Sequence, residues 1–472
     1  MRPSAACAGA SGTGSSSLGR EDGRAGLTKA ALAAAVGMVL ADSSVVVLAL
    51  PEIYRELDVS VAAVTWVLVA FNLVLAIAAV PAAHAAVRLG PAKLTIAGLI
   101  AFAAASLACG LASSIGVLLA ARCAQAVGGA AAICASLELL PAATGSERSA
   151  ARIWAAAGAT GAALGPGIGG LLTELVSWQS IFLVQVPMAI LLAVPLIGAL
   201  GAEVRRAPVA AGRPHLPANL ALGLISAALA AALFLVVLLL IEGWRLTPIG
   251  AAAAVTVMPC AALLAAPLAR RVSDVRARAA AGVILVGGGL AGLGLLPDAS
   301  VVLTFPPQAL VGVGLALTLS ALTEAALEGR ASQAIHGGWT IGARHAGVVV
   351  GLLLLTPVFT ADLETEREDA EQAGTAALLD ARIPPTEKIE LANRIADRIR
   401  EEGDKVPKLG PAFEPLPEDP EERAATLELR GAIEDEVDSA ATHAFSRSFL
   451  LAATFAAAAL LPIGLARRRV EL

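Results

Sequence analysis

Residues 158–172 read GATGAALGPGIGGLL: six glycines and one proline in fifteen residues, with no charge. In a water-exposed helix each interior glycine costs about 1 kcal/mol and the proline about 3 kcal/mol. Yet the stretch lies inside an apolar run at 150–173. Within a bilayer such residues are tolerated, because neighbouring helices re-satisfy the freed backbone groups. Gly158, Gly161, Gly165 and Gly169 are spaced three, four and four apart, which puts them on one helical stripe. Such a stripe lets a second backbone approach closely. Pro166 removes one hydrogen bond and loosens the helix at that point. The stretch reads as a tightly packed, bendable membrane helix; a plain packing seam is the simpler alternative.

The composition extends that reading to the whole chain. Of 472 residues, 57% are hydrophobic and 15% charged, with a mean hydropathy of +0.76. Soluble domains carry about 25% charged residues. Runs long enough to cross a bilayer fall near 28–50, 62–86, 93–112, 115–140, 150–173, 180–200, 218–241, 247–269, 279–297, 301–327, 333–360 and 446–466, twelve in all. Residues 1–26, rich in Ser, Gly and Ala, read as a flexible tail and not as a cleaved leader. Four of the five cysteines, Cys109, Cys123, Cys134 and Cys260, sit in apolar runs with no CxxC or His cluster; with Cys7 they argue for packing and against a metal or a disulfide frame.

Lys and Arg orient the spans. With the N-terminus inside, inner segments hold Arg20, Arg24 and Lys29, then Arg88 and Lys93, Arg148 and Arg152, Arg205, Arg206 and Arg213, Arg270, Arg271, Arg276 and Arg278, and Arg467, Arg468 and Arg469. The short outer loops hold little beyond Arg55 and Arg245. Residues 361–443 break the pattern: 23 acidic against 10 basic residues, a net of −13, leaving 16 and 24 elsewhere, a net of +8. Alternation places this acidic insert outside the cell. TEKIELANRIADRIREE aligns Ile389, Ala392, Ile395, Ala396 and Ile399 behind an N-cap at Thr386, and PEERAATLELRGAIEDEVDSA predicts a second helix. The insert reads as a helical cap or as a docking site for an external partner.

The inner loops after spans 2 and 8 echo each other. VPAAHAAVRLGPAKL (80–94) and APLARRVSDVRARAA (266–280) both place a proline in the span and then a basic loop. Parallel repeats of this kind are typical of one large transporter fold, with its substrate site between the halves.

Several segments resemble the major facilitator superfamily, and within it the drug:proton antiporter branch that includes fourteen-helix members. GAALGPGIGG (161–170) resembles that branch's span 5 motif. ADSSVVVLALPEI (41–53) resembles its span 1 signature, and WVLVAFNLVLA (66–76) its span 2. RCAQAVGGA (122–130) resembles the span 4 motif R-x-x-Q-G-x-G at Arg122, Gln125 and Gly128, with Ala126 in place of a glycine. SWQSIFLVQVP (177–187) resembles the start of span 6, with Gln185 where Asn is usual. The resemblance covers 30–360 and 446–466. With the twelve apolar runs and no extra pair of helices between the halves, it implies an all-α membrane protein of twelve transmembrane helices in two six-helix halves; the polar run 361–443 adds an extracytoplasmic helical insert between helices 11 and 12. The boundaries are a cytoplasmic tail 1–26, an N-terminal half 27–200, a cytoplasmic linker 201–217 and a C-terminal half 218–472 containing 361–443. The glycine motif Gly158, Gly161, Gly165, Pro166, Gly169 and Gly170 then belongs to the conformational machinery. The loop 2–3 signature keeps Arg88, Gly90 and Lys93, but Val87 stands where the family has the Asp that latches the cytoplasmic gate. Asp274 in the second-half loop is the candidate substitute.

Ionisable residues within spans are functional candidates by default. Asp42 lies eight residues before the outer end of span 1 and Arg122 a similar distance after the outer start of span 4. At about 1.5 Å per residue both sit roughly 12 Å deep, and in the resembled fold both helices line the cavity. Apolar surroundings favour a neutral acid and a nearby guanidinium favours the carboxylate. An acid poised between the two can take a proton in one conformation and release it in another. A permanent structural ion pair is the alternative. Asn72, Gln125, Arg344 and His345 are candidate substrate contacts, although Asn72 and Gln125 equally suit helix bridging. Arg344 suits an anionic group, and an exposed His titrates near pH 6.5. Glu138, Glu324 and Glu328, near inner helix ends, are expected to face water or loop arginines. Aromatic residues make up only 3% of the chain, so few ring faces are on offer for flat cations.

These readings lead to a secondary transporter of the cell membrane, with both termini cytoplasmic. It would export small, mostly apolar compounds against protons by alternating access. Two alternatives stand: proton-coupled uptake of a small solute, with Arg344 essential, and a membrane scaffold or receptor acting through the insert. The sequence has no P-loop, no metal cluster and no nucleophile–base pattern, so neither an enzyme, a cofactor, a metal nor a nucleic-acid partner is expected. The expected partners are a small-molecule substrate, protons and the lipid bilayer.

Overall fold

The computed structural model describes residues 14–200, 212–269, 271–327, 330, 332–402 and 409–465. Cys7, Arg205, Arg206, Arg270, Glu328, Arg467, Arg468 and Arg469 lie outside the described residues, as do the first part of the tail and most of the linker. Among these residues twelve helices are long and apolar enough to cross a membrane. They are α1 (Gly14–Val47), α2 (Val61–Leu89), α3 (Pro91–Gly110), α4 (Ile115–Thr144), α5 (Glu147–Leu175), α6 (Ser180–Ala199), α7 (Leu216–Gly243), α8 (Pro248–Ala269), α9 (Val275–Gly294), α10 (Val302–Leu327), α11 (Gln333–Asp380) and, after the insert helix α12 (Pro385–Glu402), α13 (Pro420–Leu465).

Helix ends follow backbone chemistry more closely than hydropathy. Ser60, Ser114 and Ser146 cap α2, α4 and α5, each accepting from a backbone N–H three residues on. Gly90, at φ 97°, makes the turn from α2 into α3, a conformation that favours glycine. α1 starts at Gly14, so the second half of the segment read as a tail is helical, although its apolar span starts only at Ala25. α11 runs 20 residues past Thr360 to Asp380, because no proline interrupts ADLETEREDAEQAGTAALLD. Apolarity marks where a helix would leave a membrane, not where it ends.

The insert between α11 and α13 is therefore built on extensions of those two helices, with α12 laid against them. Its own core gathers Leu378, Ile383, Leu391, Leu409, Phe413 and Leu429. Two expectations fail here. α12 starts at Pro385, whose fixed φ suits a first turn, so Thr386 is inside the helix and not its N-cap. The inward row is Leu391, Ile395 and Ile399, whereas Ile389 is 65% exposed and Ala392 and Ala396 are exposed. Two ion pairs, Arg245–Asp438 and Arg447–Asp362 (3.0 Å), tie the insert to the bundle.

The two halves repeat one packing scheme. A Cβ on Gly161 of α5 would lie 2.0 Å from the Gly37 carbonyl oxygen of α1, and one on Gly347 of α11 would lie 2.0 Å from that of Gly223 in α7. Gly98 and Gly128 press α3 on α4 as Gly282 and Gly314 press α9 on α10. A shift of 186 residues carries Gly37 onto Gly223, Gly128 onto Gly314 and Gly161 onto Gly347. The repeat first suggested by two proline-bearing loops is thus written in the glycines.

Candidate functional site

The stripe on α5 faces α1. Gly158 meets Leu40, Gly161 meets Gly37, Gly165 meets Ser44 and the Ala41 carbonyl, and Gly169 meets the Val45 carbonyl. Gly170 turns to the second half, against Ala252 and the Pro248 carbonyl of α8, and Pro166 is buried within an unbroken α5. This contact fixes the height of α1, and with it Asp42.

Asp42 is fully buried and pairs with Arg122 Nη1, which is also fully buried. Gln185 of α6 donates to Asp42 Oδ1 at 3.0 Å and Gln125 of α4 at 3.3 Å. Gln125 also donates to Ser106 Oγ of α3 at 2.8 Å and accepts from Arg122 Nη1 at 2.5 Å. Arg122 Nε donates to the Val67 carbonyl of α2 at 3.2 Å, and its guanidinium lies 4.1 Å from the Phe71 ring centroid and 5.6 Å from that of Phe182. The carboxylate thus has a counter-charge and two amide donors, which is what a buried anion requires. Arg122 Nη2 has no hydrogen-bond partner among the described residues.

This cluster belongs to the first half alone. The same 186-residue shift takes Asp42 to Ala228 and Arg122 to Gln308, both fully buried. The second half keeps the packing and lacks the charges.

The candidate substrate contacts separate. Gln125 joins the ion-pair cluster. Asn72 and His345 meet each other across the halves, His345 Nδ1 lying 2.6 Å from Asn72 Oδ1. Asn72 Nδ2 is committed to the Leu68 carbonyl at 2.8 Å, so Oδ1 is the atom facing His345 and Nδ1 carries the donated proton. Ser43, next to Asp42, reaches the same Oδ1 at 3.4 Å. Arg344 is half-buried and has no ion-pair partner among the described residues.

The gate residues do not come together as one cluster. Arg88 and Lys93 are exposed, and Val87 packs on the core of the first half. Asp274 caps its own helix, α9, accepting from Arg276 N at 2.8 Å and Ala277 N at 3.1 Å. Among the described residues around Asp274 the buried cation is Arg278, in the first turn of α9, paired with Glu324 of α10. Glu138, expected to face water or arginines, instead accepts from Ala334 N at the start of α11, 3.1 Å away. Its position near the end of α4 puts it opposite the unsatisfied amides of a helix in the other half. On the insert side the halves are joined by the Arg55–Glu242 pair and by Glu174, which accepts from Ile249 N at 2.6 Å.

Sequence reasoning missed Gln185 and Ser106 as cluster members. Gln185 carried a signal, an amide side chain at a marked position of span 6. Ser106 carried none, being one small polar residue in an alanine-rich helix.

Comparison with known proteins adds the lineage. The family model described as Major Facilitator Superfamily matches residues 32–361. Multidrug resistance protein Stp of Mycobacterium tuberculosis is 38% identical over 168 residues, 35% of this chain and 31% of that protein. The methylenomycin A resistance protein of Bacillus subtilis is 35% identical over 203 residues, 41% and 43% of the two chains. The tetracenomycin C resistance and export protein of Streptomyces glaucescens is 33% identical over 189 residues, 39% and 35%. The chain thus spans less than half the length of these curated relatives. The fold is similar to the crystal structure of a bacterial homolog of the human lysosomal transporter Spinster, inward-facing and unoccupied. There the TM-score is 0.63 over 95% of this chain and 99% of that one, at 16% identity.

Proposed function

The chain belongs to the major facilitator superfamily, and we propose that within it the protein exports small, mostly apolar compounds in exchange for protons. It is a multi-pass membrane transporter and not an enzyme. The proposed setting is the cell membrane, with both termini cytoplasmic and residues 361–443 outside, in line with the Lys/Arg asymmetry. The resistance functions in the names of its relatives support the substrate class.

The observation that carries the proton coupling is the Asp42–Arg122 pair, fully buried in a cluster drawn from one half. With Arg122 in place, the carboxylate is satisfied as an anion. A rearrangement that withdraws the guanidinium leaves a buried carboxylate without its counter-charge, and binding a proton is the least costly response. When Arg122 returns, the proton leaves toward the side then open. α1 carries Asp42, is clamped to α5 through glycines, and reaches α11 through Ser43, Asn72 and His345, so motion between the halves acts on the pair. Small substrates would contact Asn72, Gln125, Arg344 and His345.

The test compares accumulation of dyes and antibiotics in an efflux-deficient bacterium carrying wild type, Asp42→Asn or empty vector, with and without a protonophore. Asn keeps the amide contacts and removes the charge. Protonophore-sensitive export by wild type alone supports the reading; equal export by Asp42→Asn overturns it. Half-buried Arg344, with no ion-pair partner among the described residues, favours a second reading, uptake of an anionic solute. That reading predicts accumulation instead of depletion, lost in Arg344→Gln.

A further inference from the structure

We propose that the insert holds a binding site for a small amphipathic organic cation, separate from the path between the two halves. The extension of α11, α12 and the first part of α13 line a partly open cavity of about 470 Å³. That lies within the range of small-molecule sites, about 300–1,000 Å³. Its walls are apolar, with Leu363 and Leu378 from α11, Ile395 and Ile399 from α12, and Ile433 and Val437 from α13. The hollow exists because neighbouring wall positions are small, among them Ala370, Gly374, Ala396 and Ala440. An apolar chamber in the most charged part of the chain calls for an occupant with an apolar body.

The charge of that occupant follows from the rim. Arg367 pairs with Glu371 at 3.1 Å and Arg400 with Asp397 at 2.9 Å, so both cations there are engaged within their own helices. Glu366 also lines the cavity, half-buried, and makes no ion pair among the described residues. The surrounding segment carries a net charge of −13. The lining holds two acids and two cations, of which Glu366 is the one without an ion pair among the described residues; a neutral molecule leaves Glu366 unpaired, whereas one positive charge on an apolar frame matches both it and the net charge of the segment. The site does not depend on proton coupling or on the direction of transport.

Tetraphenylphosphonium is the probe and triphenylphosphine oxide its neutral counterpart, measured by equilibrium dialysis on the full chain in nanodiscs. The variants are Ala440→Trp, which fills the cavity, Glu366→Gln, which removes the charge at the half-exposed rim, and Asp42→Asn. The expected result is one bound tetraphenylphosphonium that is lost in Ala440→Trp, weakened about tenfold in Glu366→Gln and retained in Asp42→Asn, with the oxide binding at least tenfold more weakly. Thermal unfolding of each variant checks the fold; should Ala440→Trp not fold, Glu366→Gln and the neutral probe decide. Unchanged affinity in both insert variants overturns the site. Equal binding of the neutral probe overturns its selectivity for cations and points to a lipid chain as occupant.

Discussion

Asn72 on α2 accepts a hydrogen bond from His345 on α11 at 2.6 Å, joining the two halves midway along their shared seam. From that bond toward the start of α11 the contact is backbone-close: Gly342 faces the Ala76 carbonyl, and Gly338 faces Ala79 and Ala83. Asn72→Leu leaves a buried N–H donor without a partner, which costs about 1–3 kcal/mol. The cost falls on the closed arrangement of α2 and α11 alone. A cysteine at Ala83, in a chain whose other cysteines are replaced, is therefore expected to react faster with a maleimide in Asn72→Leu than in the parent. Equal rates would mean that the bond does not hold the halves together.

The ion pair gives a prediction about stability that is independent of transport. Removing one member of a buried pair costs about 3–5 kcal/mol, because the other charge is left without compensation. Arg122→Gln alone and Asp42→Asn alone are expected to lower the thermal unfolding midpoint. The double variant is expected to unfold above either single one. Gln308, at the position equivalent to Arg122 in the second half, is fully buried and donates to Thr304 Oγ1 at 2.9 Å, so a glutamine is compatible with that packing. Neither single variant nor the double one is expected to concentrate a substrate gradient. Additive losses of stability would show that the two charges are not coupled.

Much of this was legible in the sequence, for separable reasons. Bilayer-length apolar runs leave an unambiguous mark, so the twelve spans could be counted before any coordinates. Asp42 and Arg122 stood out because charge is so costly at that depth. The glycine stripe of α5 could be read as a seam, but not that α1 was its partner, since small-residue spacing says how close a neighbour comes and not which one. That Glu138 meets a helix start and that Asp274 caps its own helix is not legible in the sequence, because helix-terminal amides carry no side-chain signature. The 20 helical residues of α11 beyond Thr360 were missed because hydropathy stopped being informative there.

Glu138 joins the halves near a loop between α2 and α3 that itself carries no carboxylate. With Val87 at the acidic position of the loop signature, the carboxylate facing a helix start across the halves comes from α4. Ser332 precedes α11 and makes no side-chain cap. A carboxylate at a helix N-terminus is worth about 0.3–1 kcal/mol when exposed and up to about 2 kcal/mol when partly buried. Glu138→Ala is expected to raise hydrogen exchange at the start of α11, whereas Glu138→Gln, which keeps an acceptor, is expected to have a smaller effect. Identical exchange in both variants and wild type would mean that Glu138 does not hold the start of α11.

The glycine contacts make the sharpest steric prediction. A methyl group on Gly161 would sit 2.0 Å from the Gly37 carbonyl oxygen, and one on Gly347 the same distance from that of Gly223. The obstructing atoms are backbone, so relief requires α1 to leave α5, or α7 to leave α11. Gly161→Ala and Gly347→Ala are each expected to cost more than the 1–3 kcal/mol typical of overpacked cores. Gly431 in α13 is the control: nothing lies within 4 Å of a Cβ placed there. Gly431→Ala is expected to gain about 0.4–1 kcal/mol, by restricting the unfolded chain at a helical position. Unfolding midpoints of the three variants test the scheme together. If the two halves pack by the same rule, Gly161→Ala and Gly347→Ala fall by similar amounts while Gly431→Ala rises. A loss confined to Gly161 would mean that the repeat preserves the shape of the second half but not its tightness.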